Sequence, residues 1–441
     1  MVPGNDSDLL LQGVHRVVIV GSGFGGLAAA RALAGSHVAV TLIDANNFYT
    51  FQPLLYQVAT AGLDPADVAF PVRAIFSKAK NVTFRHGRVD SLDLARRSVS
   101  IADGAAIEYD SLVVATGATA TFFSIDGATE HARPLYTLRD ARALRNSVLG
   151  VLEAADAHPE RFNDGAPSFV VIGGGPTGVE MAGAIAELLD VSAGNDRLRI
   201  DRARTQVVLV DAIPRLLAAF SGKSSTYAER TLADRHVDIR LGTKVAKVDA
   251  ESVTFEDGSS VRADVVIWAA GISVRGTLAE ELPGEKGPGS RVVVGDDCSL
   301  VGHPEVYVIG DAAAIPLGGG RSGPAPQLAQ VAIQSGRHVG EQILAKLDRK
   351  PCGPFRYKDR GIMATIGRRA AVAELTGPGP LDGLKITGTL GWLAWLLLHL
   401  IYLVGARNRI VVLLNWWWRY VGWSSGPRII VEDVPRQIRS N

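Results

Sequence analysis

The sequence predicts an α/β protein with two Rossmann-like dinucleotide-binding domains and a C-terminal helical segment that associates with a membrane. Three observations carry this prediction: a strand, glycine turn and helix near the start of the chain, a second copy of that pattern 152 positions later, and an apolar, tryptophan-rich stretch after residue 387. With 441 residues the chain is long enough for about three domains. We place the first dinucleotide-binding domain at residues 1–125 and 300–350, the second at 126–299, and a C-terminal domain at 351–441.

The composition excludes several classes of protein. Lys and Arg number 46 against 45 for Asp and Glu, so the net charge of +1 provides no general field for binding nucleic acid. The two cysteines, Cys298 and Cys352, form no CxxC pair, which is typical of a reducing compartment and gives no basis for a metal site. Glycine is abundant, with 48 residues, and its placement carries the functional signal.

The first unit begins with a β-branched run at residues 15–20 that leads directly into the glycine-rich turn 21–26. Helix formers fill residues 27–34, and a second apolar run ends in Asp44, eighteen residues after Gly26. This is close to the spacing of the carboxylate that binds a ribose in dinucleotide-binding folds. The region therefore predicts a dinucleotide site.

The second unit repeats this arrangement. An apolar run at 168–172 enters the turn 173–178, a helix follows, and the next strand ends in Asp211. Asp211 lies 33 residues after Gly178, so we expect an extended helix or an insertion over about residues 190–205. A carboxylate at this strand end accepts hydrogen bonds from a free ribose 2′-hydroxyl and repels a 2′-phosphate, so it favours a dinucleotide without a 2′-phosphate.

The glycines in each turn have separate mechanical roles. The first allows a tight turn, the second lets backbone N–H groups approach a pyrophosphate, and the third lets the helix pack on the strand. Each unit also has a later strand that ends in small residues, at Thr116 and Gly117 in the first and at Gly271 in the second, and a further strand ends in Gly310 and Asp311. Small residues at these ends leave room for a cofactor above a parallel sheet.

Two such units and a late Gly-Asp pair resemble the two-dinucleotide-binding-domain flavoproteins. The resemblance implies that the first domain binds FAD and the second binds NADH. For FAD, the implied contacts are Gly21, Gly23, Gly25, Gly26, Asp44, Gln52, Thr116, Gly117, Gly310 and Asp311. For NADH, they are Gly173, Gly175, Gly178, Asp211 and Gly271.

Several passages are similar to one family within this superfamily, the type II NADH:quinone oxidoreductases. They are the segment 46–62 (NNFYTFQPLLYQVATAG), the second turn GGPTGVE at 174–180, LAQVAIQ at 328–334, GIMATIGR at 361–368 and the Trp-rich tail. The family implies hydride transfer from NADH to FAD and electron transfer to a membrane quinone, ubiquinone or menaquinone, in a respiratory chain. It also implies a peripheral position on the cytoplasmic face of the cell inner membrane, and it leaves a homodimer open.

Three side chains are candidates for the chemistry at the quinone. Glu180 stands early in the helix after the second turn, where it can position a substrate or handle the proton that quinone reduction needs. Gln330 and Gln334 are four residues apart, so they share one helix face from which amide groups can bond a quinone carbonyl. The alternatives are a helix-dipole role for Glu180 and a solvent-facing pair of glutamines.

The apolar tail has two segments, residues 388–404 and 410–423. The first has 17 residues, about 25 Å as a helix, which is short for a hydrocarbon core of about 30 Å. We therefore expect two helices that lie in the membrane interface, with Trp392, Trp395, His399 and Tyr402 as an interfacial edge. The alternatives are a spanning segment and a pair of core helices buried in an oligomer. Without spanning helices that carry ionisable groups, we expect electron transfer without proton pumping.

Two other functions remain open. A sulfide:quinone oxidoreductase shares the flavin fold and the membrane tail, but it needs redox cysteines near the flavin and has no use for a complete second dinucleotide unit. An NADH-binding regulatory flavoprotein would bind the nucleotide without rapid turnover. The absence of any cysteine before Cys298 argues against a dithiol relay soon after the first unit.

Overall fold

The computed structural model describes residues 13–102, 104, 106–162, 166–194, 198–318, 322–377, 382–421 and 428–431. The helices are α1 (Phe24–Leu33), α2 (Leu55–Ala59), α3 (Pro65–Val68), α4 (Val72–Ile75), α5 (Ala128–His131), α6 (Leu138–Ala157), α7 (Pro176–Gly194), α8 (Gly222–Ala233), α9 (Ala329–Leu347), α10 (Gly388–Tyr402) and α11 (Ala406–Val421).

The strands are mostly short, as follows. They are β1 (Arg16–Val20), β2 (Ala39–Asp44), β3 (Phe48–Thr50), β4 (Ala69–Pro71), β5 (Val82–His86), β6 (Val89–Asp93), β7 (Ser98–Ile101), β8 (Ala106–Glu108), β9 (Ser111–Val114), β10 (Thr119–Ala120), β11 (Ala132–Pro134), β12 (Ser168–Ile172), β13 (Gln206–Asp211), β14 (Val237–Leu241), β15 (Val245–Val248), β16 (Ser252–Phe255), β17 (Ser260–Arg262), β18 (Val265–Trp268), β19 (Ile272–Ser273), β20 (Val292–Val293), β21 (Ser299–Leu300), β22 (His303–Val308), β23 (Ala313–Ala314), β24 (Gly361–Gly367), β25 (Ala370–Leu375) and β26 (Lys385–Thr387).

The chain forms two compact units. The first consists of Met1–Tyr49, Phe70–Thr119 and Ile272–Asp359, and the second of Thr50–Ala69, Ala120–Gly271 and Arg360–Asn441. Each contains a largely or wholly parallel sheet with helices packed against it, so the predicted α/β class is confirmed. The assignment of FAD and NADH to the predicted domains stays a prediction.

The first unit is built on a six-stranded sheet with the order β21-β22-β9-β1-β2-β5. The strands from β22 to β5 pair in parallel, and β21 pairs antiparallel with β22. Helices α1 and α9 pack closely because glycines lie at their contact: a Cβ on Gly336 would stand 2.1 Å from the Gly25 carbonyl oxygen. A separate antiparallel sheet, β6-β7-β8, belongs to the same unit.

The second unit has a five-stranded parallel sheet with the order β11-β18-β12-β13-β14. Valine, isoleucine and phenylalanine side chains from this sheet and from β15-β16-β17 form a buried core around Trp268. The central strand β12 is buried at all five positions, as expected for a parallel strand covered on both faces. Helix α7 runs to Gly194, which accounts for part of the long spacing before Asp211; residues 195–197 of the expected insertion lie outside the described residues.

The C-terminal helices also belong to the second unit. Helix α10 packs on β25 of the antiparallel sheet β24-β25-β26, and α11 packs on α3. The second predicted segment begins earlier than expected, at Ala406, and its last predicted residue, Trp423, lies outside the described residues. In the described part of the chain, no helix combines the length and the apolar character needed to cross a membrane.

Candidate functional site

The first glycine turn joins β1 to α1 and fits the predicted mechanics. Gly21 has φ +102°, and a Cβ there would stand 2.3 Å from the Ala115 carbonyl oxygen. A Cβ on Gly26 would stand 1.8 Å from the Gly21 carbonyl oxygen. At Gly23, by contrast, an added Cβ would meet nothing within 4 Å. The protein itself fills the space at the first and third glycines and leaves it open at the second, where a pyrophosphate is expected.

The second turn, between β12 and α7, has the same geometry. Gly173 has φ +116° and faces the Ala269 carbonyl oxygen, at 2.5 Å from an added Cβ. A Cβ on Gly178 would stand 1.7 Å from the Gly173 carbonyl oxygen, and one on Gly175 would meet nothing within 4 Å. The internal duplication therefore extends to the packing around each glycine.

The two strand-end carboxylates also occupy equivalent positions. The Ser22 N–H donates to Asp44 Oδ2 at 2.6 Å, and the Asn46 N–H donates to Oδ1 at 2.7 Å. In the second unit the Gly174 N–H donates to Asp211 Oδ2, and the Ile213 N–H donates to Oδ1 at 2.7 Å. Each carboxylate thus ties the glycine turn to its strand end and retains lone pairs for a ribose hydroxyl.

The strand ends after β9, β18 and β22 carry the remaining predicted cofactor contacts. Thr116 has a buried Oγ1 without a hydrogen-bond partner among the described residues, which is the state expected of a group that awaits a ligand. Gly117 has φ +67° and Gly310 has φ +64°. The Gln327 side-chain amide donates to the Asp311 carbonyl oxygen at 3.0 Å. Gly271 has φ +147°, a backbone conformation that other residues rarely adopt, so glycine is favoured there.

The glutamines differ in their surroundings. Gln330 and Gln334 lie one turn apart on α9, as predicted. The Gln334 amide donates to the Lys358 carbonyl oxygen at 2.9 Å and accepts from the Lys358 N–H at 3.0 Å. Both ends of this amide therefore bond backbone, and its assignment to quinone stays a prediction. Gln52 belongs to the second unit, where its amide donates to the Tyr136 carbonyl oxygen at 3.2 Å.

Glu180 lies in the first turns of α7, above strand β24. Gly183 lets the helix approach that strand, because a Cβ there would stand 2.0 Å from the Ile366 carbonyl oxygen. The Thr365 N–H donates to Glu180 Oε1 at 3.3 Å, and the Trp395 indole donates to the same carboxyl. Glu180 is half-buried as a whole residue, but its carboxyl lies deep in the protein, and this burial raises the pKa of Glu180 to about 8. At neutral pH the group is mainly a neutral acid that can give up a proton.

The expected interfacial edge of α10 is wrong for its two tryptophans, whereas Tyr402 is exposed as expected. Trp392 and Trp395 are 8% and 1% exposed and face the protein, where Trp395 stacks on His399. The outer face carries leucine and isoleucine instead. Helical spacing alone does not say whether a given aromatic side chain meets lipid or protein. Trp395 and Thr365 are thus partners of Glu180 that the sequence did not indicate, and His399 packs on Trp395.

Comparison with known proteins places this geometry in a family. The model of the pyridine nucleotide-disulphide oxidoreductases matches residues 15–336. The type II NADH:quinone oxidoreductase NdhA of Mycobacterium tuberculosis is 38% identical over 440 residues, covering 96% of this chain and 90% of the relative. The type II NADH:quinone oxidoreductase Ndh of the same organism is 38% identical over 417 residues, covering 91% of this chain and 87% of the relative.

Solved structures confirm the fold. NDH2 from Plasmodium falciparum in complex with NADH matches with a TM-score of 0.84 at 18% identity, over 94% of this chain and 99% of that one. The sulfide:quinone oxidoreductase of Aquifex aeolicus matches with a TM-score of 0.71 at 21% identity, over 90% of this chain and 92% of that one. Proteins with either candidate activity thus have this fold, so the fold does not distinguish the two activities. The two sequence relatives above are both type II NADH:quinone oxidoreductases. The chain belongs to the pyridine nucleotide-disulphide oxidoreductases and, within them, to the type II NADH:quinone oxidoreductase family.

Proposed function

We propose that the protein oxidises NADH and reduces a membrane quinone through FAD, without proton pumping. The observation that carries the proposal is the duplicated glycine turn, with the second glycine of each copy facing open space. A chain with two such turns can hold two dinucleotides. The two relatives at 38% identity are both named type II NADH:quinone oxidoreductases, which supports NADH and quinone as the substrates.

The first unit fits FAD. The open space at Gly23, the unpartnered Thr116 Oγ1 and the carboxylate of Asp44 are the features that a dinucleotide needs, and Gly310 and Asp311 follow a strand of the same sheet. When bound, FAD accepts a hydride from NADH and passes two electrons to the quinone. The residues of the first unit hold and orient it.

The second unit fits NADH. Helix α7 begins at Pro176, directly after Gly175, where an added Cβ would meet nothing, and a helix N-terminus favours a pyrophosphate. Asp211 supplies the carboxylate for the adenosine ribose and disfavours a 2′-phosphate. We infer a preference for NADH over NADPH.

Glu180 is the group that we propose for the proton. Reduction of a quinone by NADH consumes one proton from the protein or solvent in addition to the hydride. Burial raises the pKa of the Glu180 carboxyl to about 8 and so keeps it protonated at neutral pH, as a proton donor must be. The acid form can then donate to the reduced quinone oxygen, with Gln330 as a further candidate for binding the quinone.

Helices α10 and α11 support attachment to the membrane surface, which we place at the cytoplasmic face. Their exposed face is made of large apolar side chains, which water disfavours and a lipid interface accepts. These side chains are Leu390, Leu393, Leu397, Ile401, Ile410, Leu413, Leu414, Trp417 and Trp418. Arg407 and Arg409 lie at the start of α11, where a basic charge favours anionic lipid.

A sulfide:quinone oxidoreductase is less well supported. Such an enzyme needs a reactive thiol, but Cys298 is fully buried, and burial raises the pKa of its thiol well above the ordinary range. The other cysteine, Cys352, is exposed. Neither location suits a pair of redox cysteines.

The experiment is stopped-flow flavin absorbance on purified protein, with NADH added anaerobically and a soluble quinone analogue added next. We expect bleaching by NADH and rapid reoxidation by quinone. Bleaching without reoxidation by quinone would support a regulatory flavoprotein. Bleaching by sulfide and not by NADH would support the sulfide:quinone oxidoreductase.

A further inference from the structure

Helix α10 has two faces with different roles. Leu393 and Leu397 are 50% and 60% exposed on the outer face, whereas Trp395, between them in sequence, is 1% exposed. Trp395 is therefore directed into the second unit by the same helix whose outer face we assign to lipid. Its indole N–H is the only polar atom of a large side chain, and in a buried indole that group normally finds an acceptor.

The Trp395 ring is held on several sides. The His399 ring stacks on it at 3.9 Å between centroids with 23° between the planes. Tyr56 and Trp416 each lie 6.2 Å away at steeper angles. His399 Nδ1 lies 2.7 Å from the Trp395 carbonyl oxygen, which can only accept, so the Nδ1 nitrogen carries the hydrogen. Rings packed in this way fix the direction of the indole N–H.

The indole N–H of Trp395 donates a hydrogen bond to Glu180. The carboxyl receives the Trp395 indole N–H from α10 and the Thr365 N–H from β24. Both partners are donors that cannot accept a proton, so neither competes for the acidic hydrogen of Glu180. Two donors from different elements therefore orient the acid, and neither of them takes up its proton.

We propose that Trp395 is a positioning residue for Glu180: its indole N–H fixes the carboxyl and sets the pH range in which Glu180 can donate a proton during quinone reduction. The inference rests on the proposed function. Trp395 acts through Glu180 and needs no contact with the quinone. Because α10 also carries the outer apolar face, one helix serves both membrane attachment and orientation of the acid.

Few titratable groups surround this pair. Tyr56 on α2 and His399 on α10 flank the indole, and burial lowers the pKa of His399 to about 4, so it is neutral in the working range. Glu374 on β25 is held by the hydroxyl groups of Ser221 and Ser224. Among the described residues, the neighbouring elements also carry the charged groups Glu187 and Asp190 of α7, paired with Arg235 and Arg202, Lys385 of β26, and Arg407 and Arg409 of α11.

The test is the pH dependence of flavin reoxidation by a soluble quinone in the wild type and in Trp395→Phe. The wild-type rate should fall as the pH passes the Glu180 pKa near 8. Phe keeps a ring in the stack but removes the donor that favours the carboxylate form, so the pKa of Glu180 rises. The pH at which the reoxidation rate falls should therefore increase by about one unit. Trp416→Phe is the matched control, because the Trp416 indole donates to Gln57 Oε1 at 2.8 Å. In this variant the pH at which the rate falls should not change.

A second measurement uses the wild type and does not depend on the Trp395 variant. Tryptophan emission should change with a midpoint near 8, and Glu180→Gln should abolish that change. An unshifted pH profile in Trp395→Phe, an equal shift in Trp416→Phe, or an emission change that persists in Glu180→Gln would overturn the proposal. Failure of quinone to reoxidise the wild-type flavin at any pH would instead overturn the proposed function.

Discussion

Gly178 lies so close to Gly173 that a Cβ on Gly178 would stand 1.7 Å from the Gly173 carbonyl oxygen. Gly178→Ala must therefore displace α7 from the turn, and we expect it to cost about 2 kcal/mol or more of stability and to abolish reduction by NADH. Thermal unfolding and stopped-flow bleaching measure the two effects.

Gly175→Ala is the matched comparison. An added Cβ there meets nothing in the protein, so the melting temperature should hardly change, while the methyl group obstructs the pyrophosphate and raises the KM for NADH. Equal loss of stability in both variants would contradict these separate roles of the second and third glycines.

The duplicated core was predictable because its signals are local. The glycine turns, the strand-end Asp44 and Asp211, and the apolar strands before them follow from backbone rules that act within about 30 residues. The structure confirms the turns and strands, with parallel pairing of β1 to β2 and of β12 to β13. Ligand contacts at these positions stay predictions.

The surroundings of Glu180 could not be predicted in the same way. Trp395 and Thr365 come from positions about 200 residues later in the chain, and their approach depends on tertiary packing of α7, β24 and α10. Likewise, Asn408 lies between the two apolar segments, where the sequence indicates no role for it, whereas the structure buries it against α3. Helical periodicity identifies a face but does not identify what covers it.

Asp211 leads to a prediction about nucleotide choice. We expect the wild type to prefer NADH over NADPH, and Asp211→Asn to reduce that preference by about tenfold, because the repulsion of a 2′-phosphate is lost. The ratio of kcat/KM for the two nucleotides measures this. Asp44→Asn, at the equivalent position of the first unit, should alter flavin content without changing the ratio. Equal efficiency of NADPH in the wild type would refute the assignment.

Asn408 connects α11 to α3 and to the first residue of β4 through hydrogen bonds. Its side-chain amide is 3% exposed and lies 3.1 Å from the carbonyl oxygens of both Asp67 and Ala69 and 3.3 Å from that of Ala66. Asn408→Leu keeps the size but removes the donor, and we expect a loss of about 2 kcal/mol with faster hydrogen exchange in α11. Asn408→Asp should be worse, since it places a carboxylate against three carbonyl oxygens. Wild-type exchange in both variants would show that these contacts add nothing.

The outer face of α10 can be tested on vesicles that contain anionic lipid. The double change Leu393→Glu and Leu397→Glu places charge where lipid is expected, so co-sedimentation should fall about tenfold or more while turnover with a soluble quinone analogue persists. Val301→Glu is the control, because Val301 is an apolar side chain 69% exposed in the first unit. An equal fall in the control, or none in the double variant, would argue against attachment through α10.

Glu180 also predicts how stability depends on pH. Its pKa is about 8 in the folded protein, above its ordinary value of 4.5. Between these values the folded state holds a proton that the unfolded state has released, so the stabilisation present below pH 4.5 is lost as the pH rises towards 8, by up to about 1.4 kcal/mol per pH unit. Gln cannot ionise and escapes this loss. The melting temperature of Glu180→Gln relative to wild type should therefore rise steadily from pH 5 to pH 8, as measured by calorimetry in buffers of constant ionic strength, whereas a constant difference across this range would mean that Glu180 is already ionised in the folded protein.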